Sequence, residues 1–547
     1  MPLALPEKRA LVLKLKDPKQ VMSVVPNYQI IHEAGIDYIA VPHTTDVWHV
    51  LSNMGIKVNG YEPMRYQYNY PKLFGMYNPM AHQSETAVFC TTNKRCFVFN
   101  EMRTGKSAAT LWAADYLKKV KQVKQVLILC TISCMDRVWK QAIFGLFPQH
   151  TVGILHGSAK QREQMLNEGY DFLILNHDGL KVGYGDKVST GFHLRLMQMV
   201  KSKKIGLIIM DEGSEFRNGS TDKYAALKKI TDHIERIWWL TGTPTPGGPE
   251  DAWAQCRIVN PSRVPAYQGA WKAKVMHKIN QFKWVPNHGH EAKVFDAMQP
   301  AIRFKKSEVL DMMPVVYGDR AAELTKEQAA AYQKIKAEGT IKAHSGEAIS
   351  AVNAAVLLGK MLQIAAGIVK SDQGEAIAYV PTNRLKVLDE LIEQANAKVI
   401  VFAPYRAVVD MLVTHVKKRW TVDFIDGRIT GNKRSAVIHA FQDGKDPQVL
   451  VAHPKTTGHG LELSAADTVI WFAPMHSVDL YEQANNRIMS GMQKRSMGIY
   501  HIGCTSLEWK IYRALTAGVK MQDEILKLYD EEVLGKGLTG ELTSVIL

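Results

Sequence analysis

Short, largely apolar runs separated by stretches of helical spacing recur in two series along this chain of 547 residues. The first series falls at 96–99, 125–130, 152–155, 172–175, 205–210 and 237–240, the second at 398–402, 422–425, 448–452, 468–472 and 498–502. A strand that is apolar throughout, rather than at alternate positions, is buried on both faces. Such strands alternating with helices make a parallel sheet covered on both sides. Two α/β sheets of this kind are expected, and ligands of such sheets bind beyond the carboxyl ends of the strands.

The flanking stretches read differently. In residues 1–60 the segment 10–16 alternates as a strand, 28–32 and 37–41 add two more, and Thr44 to Asp46 cap a helix from Val47. This is a small α/β accessory domain, which either grips nucleic acid through Arg9, Lys14, Lys16 and Lys19 or stabilises the rest of the chain. Residues 61–80 carry six aromatic rings, too many for a free linker, so they should pack on a neighbour. The expected division is 1–60 accessory domain, 61–260 first sheet domain, 261–375 helical insertion, and 376–547 second sheet domain.

Composition changes this picture little. No apolar run approaches the ~20 residues of a membrane span, and the first residues lack the order of a secretion signal, so a cytoplasmic chain is expected. The six cysteines form no C-x-x-C and no zinc pattern, which points to reduced core thiols. A net charge of +15 favours a polyanionic partner, although spread over this length it decides nothing alone.

The chemistry sits at strand ends. Asn100-Glu-Met-Arg-Thr-Gly-Lys-Ser107 lies between the strand 96–99 and a helix beginning near Ala108. In that context Gly105-Lys106-Ser107 reads as a phosphate loop, with backbone N–H groups and Lys106 on phosphates and the Ser107 hydroxyl on Mg²⁺. Asn100 stands where the usual loop has its first glycine. Asp211-Glu212 ends the strand 205–210, where Asp211 suits a metal ion and Glu212 suits the attacking water. Leu240-Thr-Gly-Thr-Pro244 ends the next strand; its hydroxyls suit coupling, or the turn is simply set by Gly242 and Pro244. Phosphoryl transfer also needs positive charge on the transferred group, and Arg487 is the candidate.

Taken in order, these motifs closely resemble the superfamily 2 nucleic-acid motors, and within them the SWI/SNF-type DNA translocases. The loop 100–107 resembles DEMGLGKT, 211–218 resembles DEGHRLKN, and 240–245 resembles LSGTPLQ. Segments at 79–83, 130–139, 172–178, 303–310, 399–404, 424–427, 457–467 and 483–493 are similar to further motifs of that family. The resemblance implies two tandem RecA-like domains with helical insertions. It implies ATP and Mg²⁺ as cofactors, with contacts from Gln83, Thr104, Gly105, Lys106, Ser107, Gly460 and Gln483. Catalysis would fall to Lys106, Asp211, Glu212 and Arg487. Family position makes Ser133, His177, Arg406, Thr456 and Thr457 candidates for the DNA backbone.

Three departures stand out. Asn100 and Arg103 alter the phosphate loop, Gly213-Ser-Glu215 lacks a histidine, and Ser490 replaces the second arginine of the last motif. Lys494 or Arg495 is the available substitute. The resulting expectation is a monomeric, ATP-dependent motor on duplex or branched DNA, of bacterial or phage type, serving repair, recombination or replication. The alternatives are a strand-separating or branch-migrating (annealing) helicase, disfavoured because no obvious wedge is seen, and a nucleotide-gated DNA-binding scaffold with weak hydrolysis, supported only by Ser490.

Overall fold

The computed structural model describes the chain except residues 1, 34, 74, 76–77, 185–190, 280–283, 311–313, 345–350, 371–375, 430, 458–462, 490–492, 494, 519–527 and 529–547. Two compact units result, Met1–Leu310 and Asp311–Leu547.

In the first unit a seven-stranded sheet runs in the order Ala301–Ile302, Arg95–Val98, Arg236–Leu240, Ile205–Met210, Gln125–Cys130, Phe172–Asn176, Val152–Leu155, with every pair parallel. Gln125–Cys130 is buried at all six positions, as a central strand with helices on both faces requires. One face is covered by helices Ala81–Thr92 and Lys106–Lys119, which pack on each other. The other face carries the cluster that includes Phe97, Leu127, Leu173, Ile208 and Trp239.

Residues 2–60 form a four-stranded antiparallel sheet, Leu3–Leu5, Ala10–Leu13, Ile36–Pro42, Gln29–Glu33 in spatial order, over the helix Thr45–Asn53. Thr44 caps that helix by accepting from the Val47 N–H at 3.3 Å. The aromatic stretch after it is anchored on the helix Lys106–Lys119. Tyr70 stands edge-on to Trp112, Tyr68 stands edge-on to Tyr116, and the Tyr68 hydroxyl donates to Asp115 at 2.7 Å. Each such ring pair contributes about 0.5–1.5 kcal/mol beyond its area.

The second unit holds a six-stranded parallel sheet in the order Val315–Ala321, Met497–Gly503, Ala466–Trp471, Lys398–Phe402, Val449–Ala452, Val422–Ile425. Arg384 and Glu508 tie its helices Thr382–Gln394 and Ser506–Thr516 by a fully buried ion pair at 2.5 Å. The stretch read as a helical insertion is divided between the units. Ala301–Ile302 extends the first sheet, Val315–Ala321 edges the second, and Met276–Lys278 pairs with Trp284–Pro286 as a hairpin. Three of these strands are two or three residues long, too short to show a period, and Val315–Ala321 turns polar after Tyr317, so none gives a strand signal.

All six cysteines are unpaired and five are buried. Among the described residues no helix is long and apolar enough to cross a membrane.

Candidate active site

The strand Arg95–Val98 delivers the chain into the loop 99–105, and the helix Lys106–Lys119 begins at once behind it. Gly105 is the residue before the helix and takes φ +81°, a left-handed conformation. The backbone there demands glycine, and a Cβ, 2.2 Å from Gln83 Nε2, would also displace the Gln83 amide. Arg103 is left-handed as well, at φ +68°. The two left-handed residues bring the chain sharply into the N-terminus of a 14-residue helix, whose first N–H groups lie at the loop, a position that fits a phosphate.

The helix Ala81–Thr92 holds this loop from behind. Gln83 Nε2 donates to the Thr104 carbonyl at 3.2 Å, and His82 Nε2 lies 2.8 Å from the same oxygen. Gln83 Oε1 accepts from Met80 N at 3.1 Å, and Thr104 is buried with its hydroxyl on the Glu101 carbonyl at 2.8 Å. Lys106 folds back over the loop, donating to the carbonyls of Asn100 at 2.7 Å and Glu101 at 3.1 Å. Burial lowers its ammonium below the usual lysine range, opposed by the attraction of Glu212, Asp211 and Glu101.

Asn100 is 1% exposed and has no positive φ, so the position does not call for glycine. Its Nδ2 donates to Thr86 Oγ1 at 2.8 Å and its Oδ1 accepts from Phe304 N at 3.1 Å. Glu101 completes the attachment: its N–H donates to the Phe304 carbonyl at 3.0 Å and its carboxylate accepts from Lys306 N at 3.0 Å. The basic segment 303–306 is thus fastened along the phosphate loop.

Two strands away, Asp211 follows Ile205–Met210. Its Oδ2 accepts from Trp139 Nε1 at 2.9 Å and its Oδ1 from the Glu212 N–H at 3.1 Å. Glu212 has φ +51°, a strained value for a residue with a side chain. Gly213 lies against the Trp239 indole, where a Cβ would meet Nε1 at 2.1 Å. Trp239 Nε1 donates to Gln255 Oε1 at 2.9 Å, and Gln255 Nε2 donates to the Pro244 carbonyl at 2.6 Å. The acidic turn and the turn 241–244 are therefore joined through one buried glutamine. Gly242 in turn lies by the phosphate loop, its added Cβ 3.5 Å from Met102 N.

His177, expected at a nucleic-acid surface, is instead 6% exposed with Nε2 2.9 Å from the Asp211 carbonyl. Ser133 is partly exposed and its hydroxyl lies 3.3 Å from Thr131 Oγ1.

In the second unit the helix Val478–Asn485 presents Gln483 and leads into Arg487. Trp471 Nε1 donates to Asn485 at 2.8 Å, while the Tyr481 hydroxyl meets His501 Nε2 at 2.7 Å and His501 Nδ1 meets Asp319 at 2.9 Å. Arg487 is 6% exposed, and the buried Gln483 Oε1 has no hydrogen-bond partner among the described residues. Arg406 is exposed at the start of the helix Arg406–Val416. The Thr456 hydroxyl is committed to the carbonyls of His453 at 2.6 Å and Ile425 at 3.0 Å. Arg495 lines a cavity of about 750 Å³ with Lys398, Gln448 and Trp420, at the amino ends of the strands. Gly460, Ser490, Lys494 and the Thr457 side chain lie outside the described residues.

Sequence reasoning missed His82, Trp139, Gln255 and the phosphate-loop role of Phe304 and Lys306. All but Gln255 fall within or beside recognised motifs, but no spacing rule says which backbone they reach.

A phosphate loop, an acidic strand end beside it and a second parallel sheet on the same chain define a two-unit nucleotide-binding class. Within that class the match is specific: the SNF2-related domain covers residues 54–371 and the helicase conserved C-terminal domain covers residues 383–491. The chain belongs to the SNF2-related family. It is 25% identical over 410 residues to an uncharacterized ATP-dependent helicase of Mycoplasma genitalium, covering 74% of this chain and 37% of that protein. It is 25% identical over 432 residues to protein p41 of Acyrthosiphon pisum secondary endosymbiont phage 1, covering 75% of this chain and 89% of that one. A Drosophila melanogaster SWI/SNF-related matrix-associated actin-dependent regulator of chromatin subfamily A-like protein 1 is 22% identical over 410 residues, covering 73% of this chain and 49% of that protein. Among solved structures, the Sulfolobus solfataricus SWI2/SNF2 ATPase core in complex with dsDNA is similar at 18% identity, covering 82% of this chain and 93% of that one with a TM-score of 0.39.

Proposed function

We propose that this chain is an ATP-hydrolysing motor of the SNF2 type that moves along DNA. The observation that carries the reading is the meeting of Lys106, Asp211 and Glu212 beyond the carboxyl ends of one sheet's strands, close enough for both carboxylates to act on the buried ammonium. ATP is the substrate, and its phosphates fit the helix N-terminus that begins behind Gly105. Lys106 leaves the carbonyls of Asn100 and Glu101 to meet them. Ser107 and Asp211 would hold Mg²⁺, whose charge screens the phosphate oxygens. Glu212, aimed by its left-handed backbone, orients the attacking water and takes its proton.

Arg487 is assigned the positive charge on the transferred group, and Gln483 a further nucleotide contact. Gln83 serves the adenine end, and Thr104, Gly105 and Gly460 complete the nucleotide contacts. Ser133, Arg406 and Thr457 are proposed for the DNA backbone, where contacts carry no sequence information and permit stepping, while Thr456, its donors held by His453 and Ile425, would shape the turn beside them. A role in DNA repair, recombination or replication and a cytoplasmic, monomeric state fit this reading.

The test is ATP turnover with and without duplex DNA. Wild-type turnover should rise with DNA, and Lys106→Ala and Glu212→Gln should abolish it while melting normally. Near-normal turnover in either variant sinks the reading. Triplex displacement against forked-duplex unwinding then separates translocation from strand separation.

A further inference from the structure

We infer that Trp139 and His177 are positioning residues that carry nucleic-acid contact to the Asp211 carboxylate; this deepens the motor reading and rests on it. The observation is that two neighbouring strand ends each return a buried side chain to the same aspartate. The segment after Gln125–Cys130 makes a short turn, Ile132–Cys134, and then a π-helix, Met135–Lys140. A π-helical turn holds an extra residue and so rotates the side chains that come after it; such turns are rare and cluster at functional sites. Here it brings Trp139, fully buried, to donate to Asp211 Oδ2 at 2.9 Å.

The segment after Phe172–Asn176 opens with His177, whose ring stands edge-on to Phe216 at 5.1 Å with Nε2 2.9 Å from the Asp211 carbonyl. That oxygen only accepts, so Nε2 carries the proton. One segment therefore fixes the Asp211 side chain and the other fixes its backbone. With Glu212 N–H on Oδ1 at 3.1 Å, the plane of the carboxylate has a donor on each oxygen. A donor to an ionised oxygen is about twice as strong as a neutral one.

Both segments also have a face towards solvent. Ile132 is 62% exposed and Ser133 is partly exposed, Lys140 and Lys181 are exposed on the same two segments, and Asp178 beside His177 is paired with Lys181 at 2.9 Å. A polyanion backbone seated on that face bears on two levers whose inner ends are Trp139 and His177. Neither residue touches substrate; each acts through Asp211.

The test uses the full chain. Trp139→Phe and His177→Leu keep ring or bulk and remove the donor, while His177→Gln restores an N–H. ATP turnover with and without saturating duplex DNA, DNA affinity by fluorescence anisotropy, and half-saturating Mg²⁺ are measured for each. The ratio of DNA-stimulated to basal turnover should fall about tenfold in Trp139→Phe, the scale of one lost charge-assisted hydrogen bond, and about fivefold in His177→Leu, which loses a neutral one. Half-saturating Mg²⁺ should rise in Trp139→Phe, DNA affinity should stay within about twofold, and His177→Gln should recover most of the ratio. Stimulation and Mg²⁺ dependence equal to wild type, or a loss of melting temperature alone, overturns the inference and leaves the motor reading intact. A wild-type chain whose turnover ignores DNA overturns both.

Discussion

Replacing Asn100 by glycine would restore the residue that a standard phosphate loop carries at this position, yet the structure expects harm. Asn100 joins three pieces of chain: the helix Ala81–Thr92 through Thr86, the segment at Phe304, and the loop itself. Thr86 keeps its own donation to the His82 carbonyl at 2.7 Å, so the loss there is one accepted bond. The Phe304 N–H loses its acceptor outright. Two net hydrogen bonds at about 1 kcal/mol each, with about 1 kcal/mol for the added backbone freedom of glycine, give about 3 kcal/mol. For a unit of this size that lowers the melting temperature by about 6 °C. The two bonds also preorganise the loop, and about 2 kcal/mol spent on reordering it weakens ATP binding about 30-fold. The assays are a thermal melt and titration with a fluorescent ATP analogue. Asn100→Asp, which keeps an acceptor for Phe304, should lose less in both. An Asn100→Gly protein that binds the analogue as tightly as wild type and melts no lower would refute the argument.

Arg487→Ala should abolish hydrolysis while the ATP analogue still binds; retained turnover would move the positive charge to another group. Glu508→Gln strands the Arg384 guanidinium, whose pKa is raised because Glu508 outweighs its burial, and should cost unit two about 3–5 kcal/mol in urea unfolding; a loss below about 1 kcal/mol would count against a structural pair. Burial pushes the Asp171 carboxyl up, but Lys118 and the Thr151 N–H pull harder and bring it from 3.8 to about 2. The group is depressed on folding, so its contribution is present above pH 3.8 and lost as pH falls towards about 2. Asp171→Asn should flatten stability across that window, and an unchanged acid limb would contradict the assignment.

Local chemistry wrote most of the fold into the chain. Continuous apolar strands between helices point to a two-sided parallel sheet, and Gly-Lys-Ser between a strand and a helix reads as a phosphate loop, because both signals arise from neighbours within about a dozen residues. The short strands Ala301–Ile302 and Val315–Ala321 escaped that logic. Each is held by a partner far away in sequence; two residues are too few to show a period, and Val315–Ala321 loses its apolar pattern after Tyr317. The same divide runs through the site. The positions of Lys106, Asp211 and Glu212 were legible because motif chemistry is local. That Asn100 is a staple, that His177 faces inward and that Trp139 grips Asp211 were not, since each depends on which group the packed sheet brings within hydrogen-bond reach. The order of strands, decided only when distant segments close on one another, sets those meetings.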